Sequence, residues 1–217
     1  GTEVPFYSPS NLSASYSFSE TNKRDIDTQY ETNRDFSGSL AYNFNGNPKV
    51  VEPFKGSKLN PKMFKLLTDF NFYYSPVQVS YRWEINREYN ETQTRNITNP
   101  NYKIPINVSK DFDWNRYFDL RYNLTRSLKL GFRTSTNARI DEPDGPVNKK
   151  LYRDEYYEWR DSVMQNILSF GRVTNYQHNI DVNYNVPINK LPFLDFVTGT
   201  LQYRGMYQWD AGLVKQT

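Results

Sequence analysis

Apolar and polar residues alternate along eight segments of the chain, and this period of two is typical of β-strands whose faces meet different surroundings. In one segment, Val79, Tyr81 and Trp83 alternate with Ser80 and Arg82. Most segments are longer than the ~5–6 residues usual for strands of soluble proteins. The eight segments are residues 12–19, 36–44, 64–74, 77–86, 112–124, 128–132, 176–188 and 197–210. The pattern predicts an all-β protein.

The connections between these segments alternate in length. Tight connections are expected at residues 75–76, 125–127 and 189–195, and long polar loops at 45–63, 87–111 and 134–175. Such alternation predicts one trimmed and one elaborated end of the sheet, as in transmembrane barrels. The first connection, residues 20–35, is too long for the trimmed end. Either the first two strands extend into it, or the strand count is off by one.

A helix is predicted inside the long loop 134–175, at about residues 151–170. Apolar residues recur there at the three- and four-residue spacing of an amphipathic helix. Asp154 and Glu155 suit its first turn, and Gly171 suits its end. Acids and bases are balanced on its polar face, which favours packing on the end of the sheet over binding to a membrane surface.

The composition combines many aromatic residues with low overall hydrophobicity. Aromatic residues make up 17% of the chain and apolar residues only 37%, and the mean hydropathy is -0.84. A disordered chain would lack the aromatics. Large apolar groups, with Tyr and Trp near the segment ends, favour a lipid-facing surface with an interfacial girdle. Girdle candidates are Tyr74, Tyr81, Trp83, Trp114, Tyr207 and Trp209.

These features predict a transmembrane antiparallel β-barrel segment. A bilayer crossing takes ~9–11 tilted residues per strand, which fits the segment lengths. The chain begins without Met and stops in polar sequence just past a strand. We therefore expect residues 1–217 to form a single segment of about eight strands from a larger barrel.

Several chemistries receive little or no support from the sequence. There is no cysteine and one histidine, and the net charge of +3 is too weak for a nucleic-acid partner. His178 lies on the apolar parity of its strand, without the G-x-S-x-G motif of a serine hydrolase. The stretch DEPDG at 141–145 has carboxylates for calcium, but a turn around Pro143 is the simpler interpretation. No catalytic residue, cofactor or metal is expected.

Several stretches resemble the C-terminal half of the SprA/Sov family, the giant outer-membrane translocon of the Bacteroidetes type IX secretion system. The most specific part is NRYFDLRYNLTRSLKL followed by NARIDEP, within residues 110–145. The resemblance also includes FNFYYSPVQVSYRWEINREYNETQTRN at 70–96, LYRDEYYEWRDSVMQNIL at 151–168, VPINKLPFLDF at 186–196 and WDAG at 209–212. Members of that family are many times longer than this chain.

The resemblance implies a single-chain barrel of exceptional strand number in the bacterial outer membrane, through which folded cargo proteins leave the periplasm without bond chemistry. The partners that it implies are a plug-like subunit and a smaller barrel that hands over cargo. Tyr122 and Tyr184 would join the residues that meet lipid. Residues expected to line the hydrated lumen are Arg82, Glu84, Asp119, Arg121, Asp181 and Arg204.

Two alternatives remain open. Exposed aromatic residues on a soluble β-sandwich would form a sugar-stacking platform, giving a carbohydrate-binding module. A smaller porin-like outer-membrane barrel also fits the alternation. A soluble module should express as a detergent-free monomer, whereas a barrel segment should aggregate without detergent or its flanking strands.

Overall fold

A computed structural model of the chain describes residues 5–56, 64–191 and 193–212, and it is mostly antiparallel β-sheet. The all-β prediction is therefore confirmed. The strands are β1 (Leu12–Lys23), β2 (Thr28–Asn45), β3 (Val50–Val51), β4 (Phe72–Tyr73), β5 (Gln78–Thr94), β6 (Asn107–Asn123), β7 (Leu128–Arg139), β8 (Arg172–Val186) and β9 (Gly199–Asp210). The helices are α1 (Lys65–Thr68) and α2 (Arg153–Leu168), with 3-10 turns at Pro9–Asn11 and Ile188–Lys190.

Seven long strands form one sheet in the order β1-β2-β5-β6-β7-β8-β9, and every neighbouring pair is antiparallel. Strands β3 and β4 form a separate two-stranded ladder. Within the described residues the seven-stranded sheet is not closed, because β1 and β9 each pair with a single neighbour. Two long edges thus remain open.

The prediction of a third strand at residues 64–74 is wrong. The segment instead forms α1 and the short strand β4, where Tyr73 pairs with Val50. Asn71 is buried and accepts a hydrogen bond from the backbone N of Arg126 at 2.8 Å, while Tyr73 N donates to Leu124 O at 3.2 Å. These contacts attach the segment to the β6–β7 turn. Consequently β2 pairs directly with β5, and residues 75–76 do not join neighbouring strands of the sheet.

The first connection is a tight turn between extended strands, as one of the two alternatives expected. Strand β1 continues to Lys23 and β2 begins at Thr28. Asp25 Oδ1 accepts hydrogen bonds from the backbone N of Thr28 at 2.7 Å and of Asp27 at 3.0 Å. The bonds from Thr28 are the main cause of the lowered pKa of Asp25. The side chain thus closes the turn.

Both ends of the sheet carry a long connection, so the prediction of one trimmed end is wrong. The connections at one end, named the α2 end, are residues 24–27, 95–106 and 140–171. Those at the opposite end are 46–77, 124–127 and 187–198, of which 57–63 and 192 lie outside the described residues. The sequence predicted a strand of the main sheet between residues 46 and 77, and the described residues there form none. Every later connection therefore lies at the opposite end of the sheet from the predicted one.

The predicted helix is confirmed as α2, in a loop shortened to residues 140–171 because β7 and β8 extend toward each other. Phe170 and Gly171 end it with φ of 63° and 69°. A Cβ at Gly171 would lie 2.8 Å from Ile140 Cδ1 and 3.0 Å from Arg139 O, so this position requires glycine. Neither helix in the described ranges is long and apolar enough to cross a membrane.

Candidate functional site

The strand register places all six predicted lumen residues on one face of the sheet, named the polar face. Residues paired across an antiparallel ladder point to the same side. Arg121 pairs with Gly131, Gly131 with Asp181, and Asp181 with Arg204, which forms one row. Asp119 lies two residues from Arg121 on β6, so it shares this face, and it pairs with Ser80 of β5. Arg82 and Glu84 lie two and four residues beyond Ser80 on β5, and therefore point to the same side.

Charges at the centre of the polar face are paired with one another. Arg133 Nε lies 2.6 Å from Asp119 Oδ2, and Arg121 Nε lies 3.8 Å from Asp119 Oδ1. Arg204 Nε lies 3.4 Å from Asp181 Oδ1, and Arg82 and Glu84 form a further pair at 3.2 Å. Such exposed pairs contribute little stability. Toward the α2 end the face is acidic instead, because Asp35, Glu88 and Asp111 are successive cross-strand partners.

A shallow groove of about 500 Å³ runs across the centre of the polar face. Its wall includes Ser80, Tyr117 and Gln177, and the guanidinium of Arg82 lies 4.7 Å from the centroid of the Tyr117 ring. Asn179 Oδ1 is buried there without a hydrogen-bond partner among the described residues. The groove therefore offers polar groups and one aromatic ring to whatever passes along this face.

The opposite face, named the apolar face, carries seven of the eight predicted lipid-facing or girdle residues. The register places Tyr81 beside Phe118, Tyr184 beside Leu128, and Tyr207 beside His178. Trp83, Trp114, Tyr122 and Trp209 share this parity on their strands. The eighth, Tyr74, is 69% exposed and follows β4 outside the seven-stranded sheet, so strand parity does not place it on either face.

Large apolar and aromatic residues fill successive rows of this face. Val79, Leu120, Phe132 and Ile180 are cross-strand partners in one row. Toward the α2 end, the next row includes Tyr81, Phe118, His178 and Tyr207, and the row after it includes Trp83, Tyr176 and Trp209. Toward the opposite end, Tyr122 and Tyr203 share a row with Leu130 and Val182, and Tyr184 lies one row further, beside Leu128 and Leu201.

Apolar residues continue past Trp83 toward the α2 end. Ile85 and Trp114 lie in the next row, and Phe36 and Phe112 pair with Arg87 in the row after it. Arg34, which pairs with Glu20 at 2.8 Å, lies one row further.

Helix α2 covers the apolar face at the α2 end. Phe112, Trp114, Ile140 and Val163 form a buried cluster, against which Trp83, Trp159 and Ile167 pack. Trp114 is only 6% exposed and stacks on Phe170, with 5.8 Å between ring centroids. Its predicted place in an exposed girdle is therefore wrong, because α2 and its C-terminal end cover the ring.

A buried ion pair below α2 was missed by the sequence analysis. Glu142 accepts hydrogen bonds from Arg87 Nε at 2.6 Å, Arg87 Nη2 at 2.8 Å and Trp159 Nε1 at 2.6 Å. The Glu142 side chain is 2% exposed and that of Arg87 14%. Arg87 has the same strand parity as Ile85 and Trp83, so it lies on the apolar face. A charged residue at such a position needs a partner, and this was the sequence feature that could have predicted the ion pair.

Two of the three carboxylates of residues 141–145, those of Asp141 and Glu142, are held by arginines. Asp141 accepts hydrogen bonds from Arg172 Nε and Nη2, both at 2.8 Å, and these bonds are the main cause of its lowered pKa. Glu142 is held by Arg87. Across residues 5–56, 64–191 and 193–212, no three His, Cys, Asp or Glu side chains are grouped to hold a metal ion.

His178 packs among aromatic rings on the apolar face. Its ring stacks on Tyr207 at 5.4 Å between centroids and contacts Tyr176 edge-on at 5.6 Å. Phe132 lies 6.1 Å away on the other side. These neighbours make it part of the same aromatic surface as Tyr176 and Tyr207.

No protein-family model matches the chain, and no curated protein sequence matches it.

Proposed function

We propose that this chain is a non-enzymatic segment of a large outer-membrane β-barrel that conducts folded proteins, in the manner of the type IX secretion translocon that the sequence resembles. In this proposal the apolar face meets lipid and the polar face lines the aqueous conduit. The observation that carries the proposal is the separation of the two kinds of residue onto opposite faces of one sheet of seven long strands.

The exposed part of the apolar face supports the lipid contact. Leu201, Tyr203, Tyr207 and Trp209 on β9 are all exposed although they are large and apolar or aromatic. Contiguous exposed apolar surface of this kind usually marks contact with a membrane or a partner. Tyr and Trp residues near both ends of the face, such as Trp83 and Trp209 toward the α2 end and Tyr184 toward the opposite end, favour the membrane, because amphipathic rings prefer the two interfaces.

The composition of the polar face supports the aqueous conduit. Serines pair across β1 and β2, with Ser15 and Ser39 Oγ 2.8 Å apart and Ser17 and Ser37 Oγ 2.7 Å apart. Farther across the sheet, arginines pair with carboxylates. A wall of neutral hydroxyls and ion-paired side chains stays wetted, which suits an aqueous conduit for proteins.

The two open edges support a larger barrel. Strands β1 and β9 both run for twelve residues, and almost all of their side chains are exposed. Unpaired strand edges are not tolerated in lipid, because their backbone groups would lack hydrogen-bond partners. In the proposed barrel, further strands of the parent polypeptide pair with both edges. The plug-like subunit and the cargo-delivering barrel remain partners implied by the resemblance.

The second candidate is a soluble β-sandwich that binds carbohydrate. The observation in its favour is that α2 packs on the apolar face through a buried cluster, as helices do on sheets of soluble domains. In that case another layer covers the rest of the apolar face, and the groove beside Tyr117 is the sugar platform.

Accessibility of alternate β6 positions to a water-soluble thiol reagent tests the proposal. Residues 1–217 contain no cysteine. Single cysteines are introduced at Asp119, Leu120, Arg121 and Tyr122 of the natural polypeptide, after any cysteines outside these residues have been replaced by serine. Membranes containing each variant are then treated with a charged maleimide. We expect labelling at Asp119→Cys and Arg121→Cys, and protection at Leu120→Cys and Tyr122→Cys.

The matched pairs lie next to each other on one strand, so differences in expression or depth do not explain an alternating result. Leu120→Cys and Tyr122→Cys should react instead with a lipid-soluble maleimide. A polypeptide that is soluble without detergent, with the apolar positions protected from both reagents, would contradict the membrane proposal and favour the sandwich.

A further inference from the structure

Arg116 interrupts the apolar face at the level of an aromatic row. It lies between Trp83 and Thr136 in the row that continues to Tyr176 and Trp209. A charged residue at this parity needs a partner, as the buried pair of Arg87 and Glu142 illustrates on the same face. Arg116 makes no side-chain hydrogen bond or ion pair with the described residues, and its Nε is buried without a partner.

Two aromatic rings contact the guanidinium, and its terminal groups have no partner among the described residues. The guanidinium carbon lies 5.1 Å from the centroid of the Trp114 ring and 5.7 Å from that of Phe170. Because Nε is buried, the donors that remain for a bidentate acceptor such as a carboxylate or phosphate are the two terminal Nη groups.

Phe170 is held in place by an unusual backbone conformation. Its φ of 63° belongs to the left-handed region, which a bulky residue adopts only when its surroundings impose it. This conformation ends α2 and stacks the Phe170 ring on Trp114 beside Arg116. Strain of this type accompanies sites that position a group for binding.

A mostly apolar cavity of about 400 Å³ opens next to Arg116. Its walls include Tyr81, Phe118, Val173 and Tyr176, with Thr136 as a hydroxyl neighbour. The Arg116 guanidinium thus lies at the level of the proposed membrane interface, and the apolar cavity beside it extends toward the proposed membrane centre. This matches the two parts of a phospholipid, a charged headgroup and an acyl chain.

We propose that Arg116 binds the phosphate of a membrane lipid, with an acyl chain in the adjacent apolar cavity. This inference rests on the proposed membrane location of the apolar face. It adds a specific ligand, a position for the headgroup and a role for α2, whose C-terminal end builds one side of the site.

Photo-cross-linking to a phospholipid tests the site. The natural polypeptide is reconstituted in nanodiscs of phosphatidylethanolamine and phosphatidylglycerol that contain phosphatidylglycerol with a diazirine in its headgroup. Cross-links are counted on the tryptic peptide 161–172, which includes Phe170 and is unchanged by substitution at Arg116. We expect Arg116→Gln to reduce these cross-links about tenfold. Arg116→Lys keeps the charge without the fork and should reduce them only about threefold.

Three controls separate the explanations. Arg204→Gln removes an arginine from the polar face and should leave the cross-links unchanged. A phosphate-free galactolipid with the same diazirine should cross-link as weakly as phosphatidylglycerol does with Arg116→Gln. Inorganic phosphate at 50 mM should not compete, and complete competition would identify a site for free phosphate and overturn the lipid proposal.

The failure of this inference is distinguishable from the failure of the proposed function. If the wild-type polypeptide inserts into nanodiscs and the Arg116→Gln variant cross-links equally, only the lipid site is wrong. If the wild-type polypeptide remains soluble and does not insert, both proposals are overturned.

Discussion

The buried pair between Arg87 and Glu142 offers a direct test of how α2 is attached to the sheet. Glu142 accepts three hydrogen bonds of 2.6 to 2.8 Å and is almost fully buried. The change Glu142→Gln keeps the shape but removes the charge, which leaves the Arg87 guanidinium buried and uncompensated. Removing one partner of a buried pair costs about 3–5 kcal/mol.

We expect the lower end of that range, because other groups partly compensate Arg87. Its guanidinium carbon lies 5.3 Å from the Trp159 ring centroid, 5.6 Å from that of Tyr89 and 5.7 Å from that of Phe36. A loss of about 3 kcal/mol corresponds to a rise of roughly 150-fold in the population of the detached helix. The amides of α2 should therefore exchange hydrogen about that much faster.

Hydrogen exchange followed by mass spectrometry measures this quantity peptide by peptide. Glu158→Gln is the matched control, because it makes the same chemical change at an exposed position of α2. Amides of β5 away from Arg87 should not change. If α2 exchanges at the wild-type rate in Glu142→Gln, the ion pair does not hold the helix, and the packing of Val163 and Ile167 is sufficient by itself.

Two further predictions concern the same loop. Lowering the pH should loosen the junction between Asp141 and Arg172, because the contribution that lowers the pKa of Asp141 is present above the ordinary carboxyl pKa and is lost as the pH falls through the lowered value. Protection factors of the first β8 amides, which correct for the slower intrinsic exchange in acid, should therefore fall, and Asp141→Asn should remove that dependence. Gly171→Ala should destabilise the loop by about 2 kcal/mol, because a Cβ would meet Ile140 and Arg139 at a positive φ. Gly145 also has a positive φ, but no atom lies within 4 Å of a Cβ added there. Gly145→Ala should therefore lower the free energy of unfolding, measured with heat or urea, by only about 1 kcal/mol. Equal losses in the two variants would show that the contacts at Gly171 are unimportant.

The arrangement of the two faces was predictable because side-chain direction along a strand depends only on parity. Arg82 and Glu84 had to share a face opposite Tyr81 and Trp83 once β5 was a strand. The register is regular over most of each ladder, with shifts only at Thr28/Tyr30 in β2 and Asn137/Ala138 in β7, so this separation extends over most of the sheet. Helix α2 was predictable for a similar reason, since its spacing differs from that of every strand.

The failures arose where local pattern competes with tertiary contacts. Residues 64–74 alternate like a strand, but the burial of Asn71 against the β6–β7 turn and the pairing of Tyr73 with Val50 determine their structure. Trp114 resembles a girdle residue by parity, and only the docking of α2 buries it. Arg87 and Arg116 each lie at the apolar parity of a strand. The residues next to them in the sequence do not indicate that Arg87 pairs with Glu142 whereas Arg116 contacts two aromatic rings.

The all-β class, the chemistry of each face and the helix in the long loop could be predicted from local patterns, because they follow from periods of two and 3.6 residues along the backbone. The seven-strand order, the direct pairing of β2 with β5, the open edges and the cover that α2 places on the apolar face could not. These depend on contacts between residues far apart in the chain, such as Arg87 with Glu142, and no local period specifies which distant partner a side chain will meet.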